Sequence, residues 1–268
     1  MHLPHVRKSP IKINDHIVIA IITGASAGIG EAAAIRFAQG GYNLVITGRR
    51  AAKLEAFRKQ LEESYAVKVL ALSFDVRNFD EVERYFSQLP DEWRDIDVLV
   101  NNAGLAVGLH PVHEGIVDDW ERMIDTNVKG LLYMSRIVSP WMVARRRGHI
   151  VNVGSIAGKE VYPNGNVYCA TKHAVDALTK GIRCDLLPYG IRVSQISPGA
   201  ADTEFSMVRF KGDLERAANV YKGFEPLHAK DIAEAIWYVT QQPPHVNISD
   251  MVIMPTAQAS TMLFHKEL

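Results

Sequence analysis

Tyr168 and Lys172 lie four residues apart in the segment 167–187, whose pattern predicts a helix, so their side chains share one face and can act as a unit. A tyrosine of pKa about 10 is a poor base at neutral pH, and it exchanges protons with an alcohol only if its phenolate is stabilised. One lysine cation about 4 Å away is worth roughly 4 kcal/mol at an effective dielectric of 20, or about three pKa units. Tyr-x-x-x-Lys is also a common solvated pair on helix surfaces, so it gains meaning only from its company. Ser155 lies two residues beyond the apolar run that ends at Val153, which puts its hydroxyl at the carboxyl edge of a sheet, where it can hydrogen-bond a substrate oxygen. A nucleophilic serine elbow would need glycines two residues to either side, and those positions are Val153 and Ala157.

Upstream, Thr23-Gly24-Ala25-Ser26-Ala27-Gly28-Ile29-Gly30 follows an apolar run and leads directly into the helical stretch 31–39. Glycines 24, 28 and 30 let the backbone turn sharply and approach a pyrophosphate, and the following helix offers free amides and a positive dipole end. Strand, loop and helix in this order point to a dinucleotide. An acidic residue at the end of the second strand would accept hydrogen bonds from the ribose 2′-hydroxyl of NAD, but the chain reads Thr47-Gly48-Arg49-Arg50. Arg49 can fork onto the 2′-phosphate of NADP while Arg50 packs near the adenine, which favours NADP over NAD.

These groups need a scaffold that brings distant segments to one edge. Seven short β-branched runs, at 17–22, 43–47, 68–73, 97–100, 149–153, 191–196 and 250–254, alternate with helical stretches. Several are continuously apolar, as strands covered by helices on both faces must be. The expected fold is α/β, a Rossmann-type doubly wound parallel sheet of about seven strands. No linker or repeat divides residues 1–268, so one dinucleotide-binding and catalytic domain is expected. The rhythm breaks at 200–226, after Pro198-Gly199, where an insertion would cover the ligand crevice as a lid. In it, Arg209 and Lys211 could pair with a substrate carboxylate, or Arg209 could pair with Asp213 one turn later and remain solvated.

Thirty Lys and Arg balance thirty Asp and Glu, so charge makes no case for nucleic acid or an anionic membrane, and the expected partner is a small molecule. Residues 1–15 lack the apolar stretch of a secretory leader, and no run is long enough to span a bilayer. The two cysteines, Cys169 and Cys184, fit no paired motif and suit a reducing, cytoplasmic setting. His110-x-x-His113-Glu114 has loose spacing and no further ligand cluster, so the histidines are expected to border a pocket and no metal is expected. Cys169, beside Tyr168, is read as a small packed side chain.

Together these residues resemble the short-chain dehydrogenases/reductases over nearly the whole chain. The resemblance rests on the glycine motif, Asp75, Asn101-Asn102-Ala103-Gly104, Asn127, Ser155, Tyr168, Lys172 and Pro198-Gly199 with Thr203. It implies that Tyr168 is the acid/base, Ser155 orients the carbonyl, Lys172 anchors the ribose and Asn127 holds a relay water. It further implies that Asp75 and Val76 contact the adenine side, that Asn102, Ala103 and Gly104 line the adenosine, that Ser26 and Ile29 belong to the phosphate loop, and that Thr203 fixes the nicotinamide carboxamide. Many NADP-using members carry a basic residue just before the second glycine, where this chain has Ala27, so selection falls to Arg49 and Arg50. The stretches 205–213 and 255–260 resemble a narrower branch, the NADP-dependent 3-hydroxy acid (serine or allo-threonine) dehydrogenases. The alternatives are a reductase of larger 3-oxoacyl or steroid-type carbonyls and a non-catalytic dinucleotide sensor. The family resemblance also implies a homotetramer.

Overall fold

Alternate residues of the strand Ile19–Thr23 (β1) feed two separate apolar cores: Ala20 and Ile22 join one, Ile19 and Ile21 the other, and the strand is buried throughout. A strand apolar on both faces requires helices on both faces. The computed structural model, which describes residues 12, 13 and 16–267, supplies them. After β1 come Asn43–Gly48 (β2), Val69–Ser73 (β3), Ile96–Asn101 (β4), His149–Val153 (β5), Arg192–Pro198 (β6) and Asp250–Ile253 (β7). All seven pair in parallel in the order β3-β2-β1-β4-β5-β6-β7. Each run expected to be a strand is one. The order reverses between β1 and β4, and a crevice opens beyond the carboxyl ends at such a switch point. Most of the segment read for a leader lies outside the described residues.

The helices are Gly28–Gln39 (α1), Ala51–Ser64 (α2), Phe79–Ser87 (α3), Val117–Ile124 (α4), Leu131–Arg145 (α5), Asn166–Leu186 (α6), Glu204–Arg209 (α7), Leu214–Asn219 (α8) and Ala229–Thr240 (α9). Residues of α1, α2 and α9 pack into one core, those of α3, α5 and α6 into the other. Phe37 of α1, Tyr42 and Trp237 of α9 meet edge to face at 5.1–5.5 Å, tying the first and last helices together. A π-helical turn, Asp125–Gly130, joins α4 to α5 and carries Asn127.

The segment 200–226, expected to be irregular, contains two six-residue helices, α7 and α8, and a short strand, Ala201–Asp202, parallel to Leu227–His228. Thr203 starts α7 by accepting a hydrogen bond from the Phe205 amide at 3.2 Å. Helices this short present too few turns for apolar periodicity to reveal them.

His149 at the start of β5 is buried, with Nε2 2.8 Å from Ser194 Oγ and Nδ1 without a partner. Burial, with Arg192 adding to it, pushes its pKa down to about 3. Below the usual imidazole range the unfolded chain therefore binds a proton that the folded chain refuses. Folding stability should fall as pH drops from about 6.5 toward 3, by up to about 1.4 kcal/mol per unit. Denaturant midpoints of wild type and His149→Gln between pH 7 and 5 check this; parallel slopes in the two proteins would contradict it.

Candidate active site

The crevice holds a cleft of about 530 Å³. Its floor is the glycine loop. Gly24 (φ +67) and Gly28 (φ +55) adopt the left-handed conformation that side chains resist. A Cβ at Gly30 would press into the Gly24 carbonyl and the Asn102 carboxamide, so α1 can meet the loop only through a glycine there. At its start α1 has no side-chain cap on Ala27, which leaves its first amides free for an anion. Thr23 locks this loop to the end of β4: its Oγ1 accepts from the backbone amides of Asn102 (3.0 Å) and Ala103 (2.9 Å), and Asn102 Nδ2 donates to the Thr23 carbonyl at 2.8 Å.

Gly24, Gly28 and Ile29 line the cleft together with Asn102, Ala103 and Gly104; Pro198, Gly199 and Thr203 line it too, with Thr203 directly against Gly28. Ser26 sits beneath Arg50, which donates to Ser26 Oγ (3.1 Å) and to the Ser26 carbonyl (3.0 Å). Arg50 also pairs with Glu204 at 2.9 Å. Arg50 lines the cleft, and Arg49 beside it lies 3.9 Å from Asp75. Burial works to raise the Asp75 carboxyl, but hydrogen bonds from Arg77 outweigh it and hold it below the usual range. Val76 is buried against Gly130.

The four groups expected to do chemistry converge. Ser155, Tyr168 and Lys172 are all buried at the cleft. Ser155 Oγ accepts from the Ala157 amide at 3.1 Å, which fixes the serine at the end of β5. Lys172 Nζ donates to the Val153 carbonyl at 2.9 Å and stands 6.0 Å from the Tyr168 ring centre. Burial lowers its pKa to about 8. Burial likewise raises that of Tyr168, against which the Arg209 charge and a hydrogen bond with Ser155 pull downward. Arg209 therefore stands beside Lys172 as a second cation near the Tyr168 ring. Asn127 lies behind Gly104: its Oδ1 accepts from Leu105 N at 2.8 Å, and its Nδ2 donates to the Leu105 carbonyl (2.8 Å) and to Thr171 Oγ1 (3.0 Å).

Arg209 lines the cleft. It makes no pair with Asp213, whose carboxylate instead accepts from the Arg216 amide. Its guanidinium enters the cleft, 5.1 Å above the Tyr168 ring and 5.2 Å from Phe205, and donates to the Tyr162 hydroxyl. Its Nε has no partner. Lys211 turns away from the cleft to Asp119. Sequence reading missed Tyr162, Phe210, Tyr221 and Phe264, the aromatic residues of the far wall. Only the density of aromatics in the lid and near the C-terminus could have signalled them. His113 pairs with Glu114 at 3.5 Å, and among the described residues no three His, Cys, Asp or Glu gather as metal ligands.

A glycine loop, free helix amides and Arg50 form a cradle that suits a phosphorylated dinucleotide, next to a serine, tyrosine and lysine at one carboxyl edge. Known proteins resemble this chain in sequence and in fold. A 3-hydroxy acid dehydrogenase of Salmonella typhi, named as NADP-dependent, is 50% identical, over 90% of this chain and 96% of its own. A serine 3-dehydrogenase of Agrobacterium fabrum is 41% identical, over 89% of this chain and 94% of its own. The solved closed form of a serine dehydrogenase complexed with NADP+ is 45% identical and matches with a TM-score of 0.87, covering 94% of this chain and 100% of that one. The sequence model described as short chain dehydrogenase matches residues 18–213, and with the loop, the sheet order and the site geometry in agreement, the chain belongs to that family.

Proposed function

We propose that this protein is an NADP-dependent oxidoreductase that interconverts the alcohol and carbonyl forms of a small 3-hydroxy acid such as serine, allo-threonine or a 3-hydroxybutyrate-like compound. The observation that carries the substrate class is Arg209, a guanidinium with an unpartnered Nε held over Tyr168. A carboxylate two bonds from the reacting carbon could reach such a fork while the hydroxyl meets Ser155 and Tyr168. The names of the relatives point the same way.

Bound NADP(H) supplies the hydride acceptor or donor. Ser155 hydrogen-bonds the substrate oxygen, and Tyr168 takes or gives the hydroxyl proton. Lys172 holds the ribose and adds positive charge near the phenol. Asn127 keeps one lone pair of its carboxamide oxygen free beyond the Leu105 hydrogen bond, a place for a relay water. Arg50, with Ser26 beneath it, takes the 2′-phosphate. The aromatic far wall excludes bulk water from the reacting carbon.

An initial-rate screen with NADP and NAD against serine, allo-threonine, 3-hydroxybutyrate and neutral secondary alcohols tests this reading. Higher kcat/KM for the neutral alcohols than for all the acids would reject it in favour of larger, uncharged carbonyls. Arg209→Ala should raise KM for the acids by about 10- to 100-fold, the worth of a hydrogen-bonded charge, and change that for a neutral ketone little. Equal effects on both would remove Arg209 from substrate binding.

The finer expectations are a homotetramer and a cytoplasmic location. In support of the first, the outward positions Ala170, Ala177, Gly181 and Cys184 of α6 are small, and a Cβ at Gly181 would meet nothing, which suits close approach of a second helix. In support of the second, Cys169 and Cys184 are both free thiols. No helix among the described residues is long and apolar enough to cross a membrane.

A further inference from the structure

Asp119 is a buried carboxylate that the proposed chemistry leaves unused. It lies on α4 with its side chain 4% exposed, and its Oδ2 is 2.8 Å from Nζ of Lys211, two residues past Arg209. The contact is an ion pair without an aligned hydrogen bond on that oxygen. The other cation near it, Arg122 one turn along the same helix, is 4.0 Å from Oδ1. A carboxylate withdrawn from water needs a compensating charge, and a lid that swung outward would strip Asp119 of its nearest one.

Two further contacts converge on this point. The Gly108 amide donates to the Arg209 carbonyl at 3.0 Å, so the loop after β4 grips the end of α7. Gly108 has φ +72, and a Cβ there would come within 2.7 Å of Asp119 Oδ2, so that loop closes directly on the carboxylate. Lys211 itself has φ +53, a conformation that side chains other than glycine adopt at a cost and keep only where surroundings enforce it.

We propose that the Asp119–Lys211 ion pair is the latch that fastens the end of the lid helix and thereby sets Arg209 against the substrate carboxylate. Both are positioning residues, acting on substrate affinity through Arg209, and the inference rests on the role of Arg209 given above. The lid is anchored to α4, a helix outside the cleft, so its closed position does not depend on contacts with the substrate alone.

The test compares Asp119→Asn, Lys211→Met, Lys211→Gly, Lys211→Arg and Arg209→Ala, with KM and kcat measured for an acidic substrate and a neutral ketone. Breaking a buried pair from either side should raise KM for the acid about tenfold or more, with kcat within about twofold and the ketone unaffected. Lys211→Gly, which suits the backbone but lacks the ammonium, should behave like Lys211→Met, whereas Lys211→Arg should stay within about threefold of wild type. The Asp119→Asn/Lys211→Met double variant should be no worse than either single one. If Arg209→Ala acts selectively on the acid while the latch variants leave its KM unchanged, the latch is wrong and the Arg209 reading stands. If Arg209→Ala shows no selectivity, that reading fails first. A merely structural Asp119 would lower Tm and reduce kcat for both substrates alike, which would also overturn the proposal.

Discussion

Tyr168→Phe lowers kcat by about three orders of magnitude in both directions, with little change in NADP affinity. The phenyl ring keeps the packing against Phe205, whose ring centre is 5.6 Å away, and removes only the hydroxyl that exchanges the proton. Positioned acid/base groups contribute about 10²- to 10⁴-fold, which sets the size of the loss. Burial holds the Tyr168 pKa above its ordinary value, so the phenol form prevails at neutral pH and the residue enters ready to donate. Reduction should therefore be sustained at neutral pH and decline as alkali removes that proton, while oxidation gains over the same range. Turnover by the phenylalanine variant at the wild-type rate would remove Tyr168 from the mechanism.

Arg50→Ala lowers kcat/KM with NADP by about 10- to 100-fold and leaves the much weaker reaction with NAD nearly unchanged. A charge-assisted pair with a phosphate is worth about 1.5–3 kcal/mol, and Arg50 is held toward the cleft by both the hydroxyl and the carbonyl of Ser26. Arg49→Ala should cost less, because its guanidinium is largely in water and leans toward Asp75. A greater loss from Arg49→Ala than from Arg50→Ala, measured as the NADP to NAD ratio of kcat/KM, would assign the 2′-phosphate to Arg49 instead.

The sheet was legible because its central strands are buried on both faces: apolar runs such as those ending at Thr23 and at Val153 need no alternation to be recognised, and the glycine loop fixes where the first one ends. Ser155, Tyr168 and Lys172 were legible because spacing along one helix and distance past one strand are local quantities. What spacing could not give is direction across the cleft. Arg49 and Arg50 are neighbours with the same chemistry, and only the position of Ser26, 24 residues before Arg50, decides which faces inward. Lys172 reaches the Val153 carbonyl across 19 residues, and Arg209 comes over the Tyr168 ring from the lid, contacts that no local spacing announces. The aromatic wall draws on Tyr162, on Phe210 and Tyr221 of the lid and on Phe264, segments separated by tens of residues, and only tertiary packing brings them together.

The Thr23 hydroxyl, accepting two amides from the end of β4 while Asn102 returns a hydrogen bond to the Thr23 carbonyl, has a mechanical consequence. It rivets the two halves of the sheet at the very place where they could part, so the crevice has a rigid floor. Breathing of the site is then left to its roof, and entry and exit of both ligands become a property of the segment 200–226 rather than of the whole molecule.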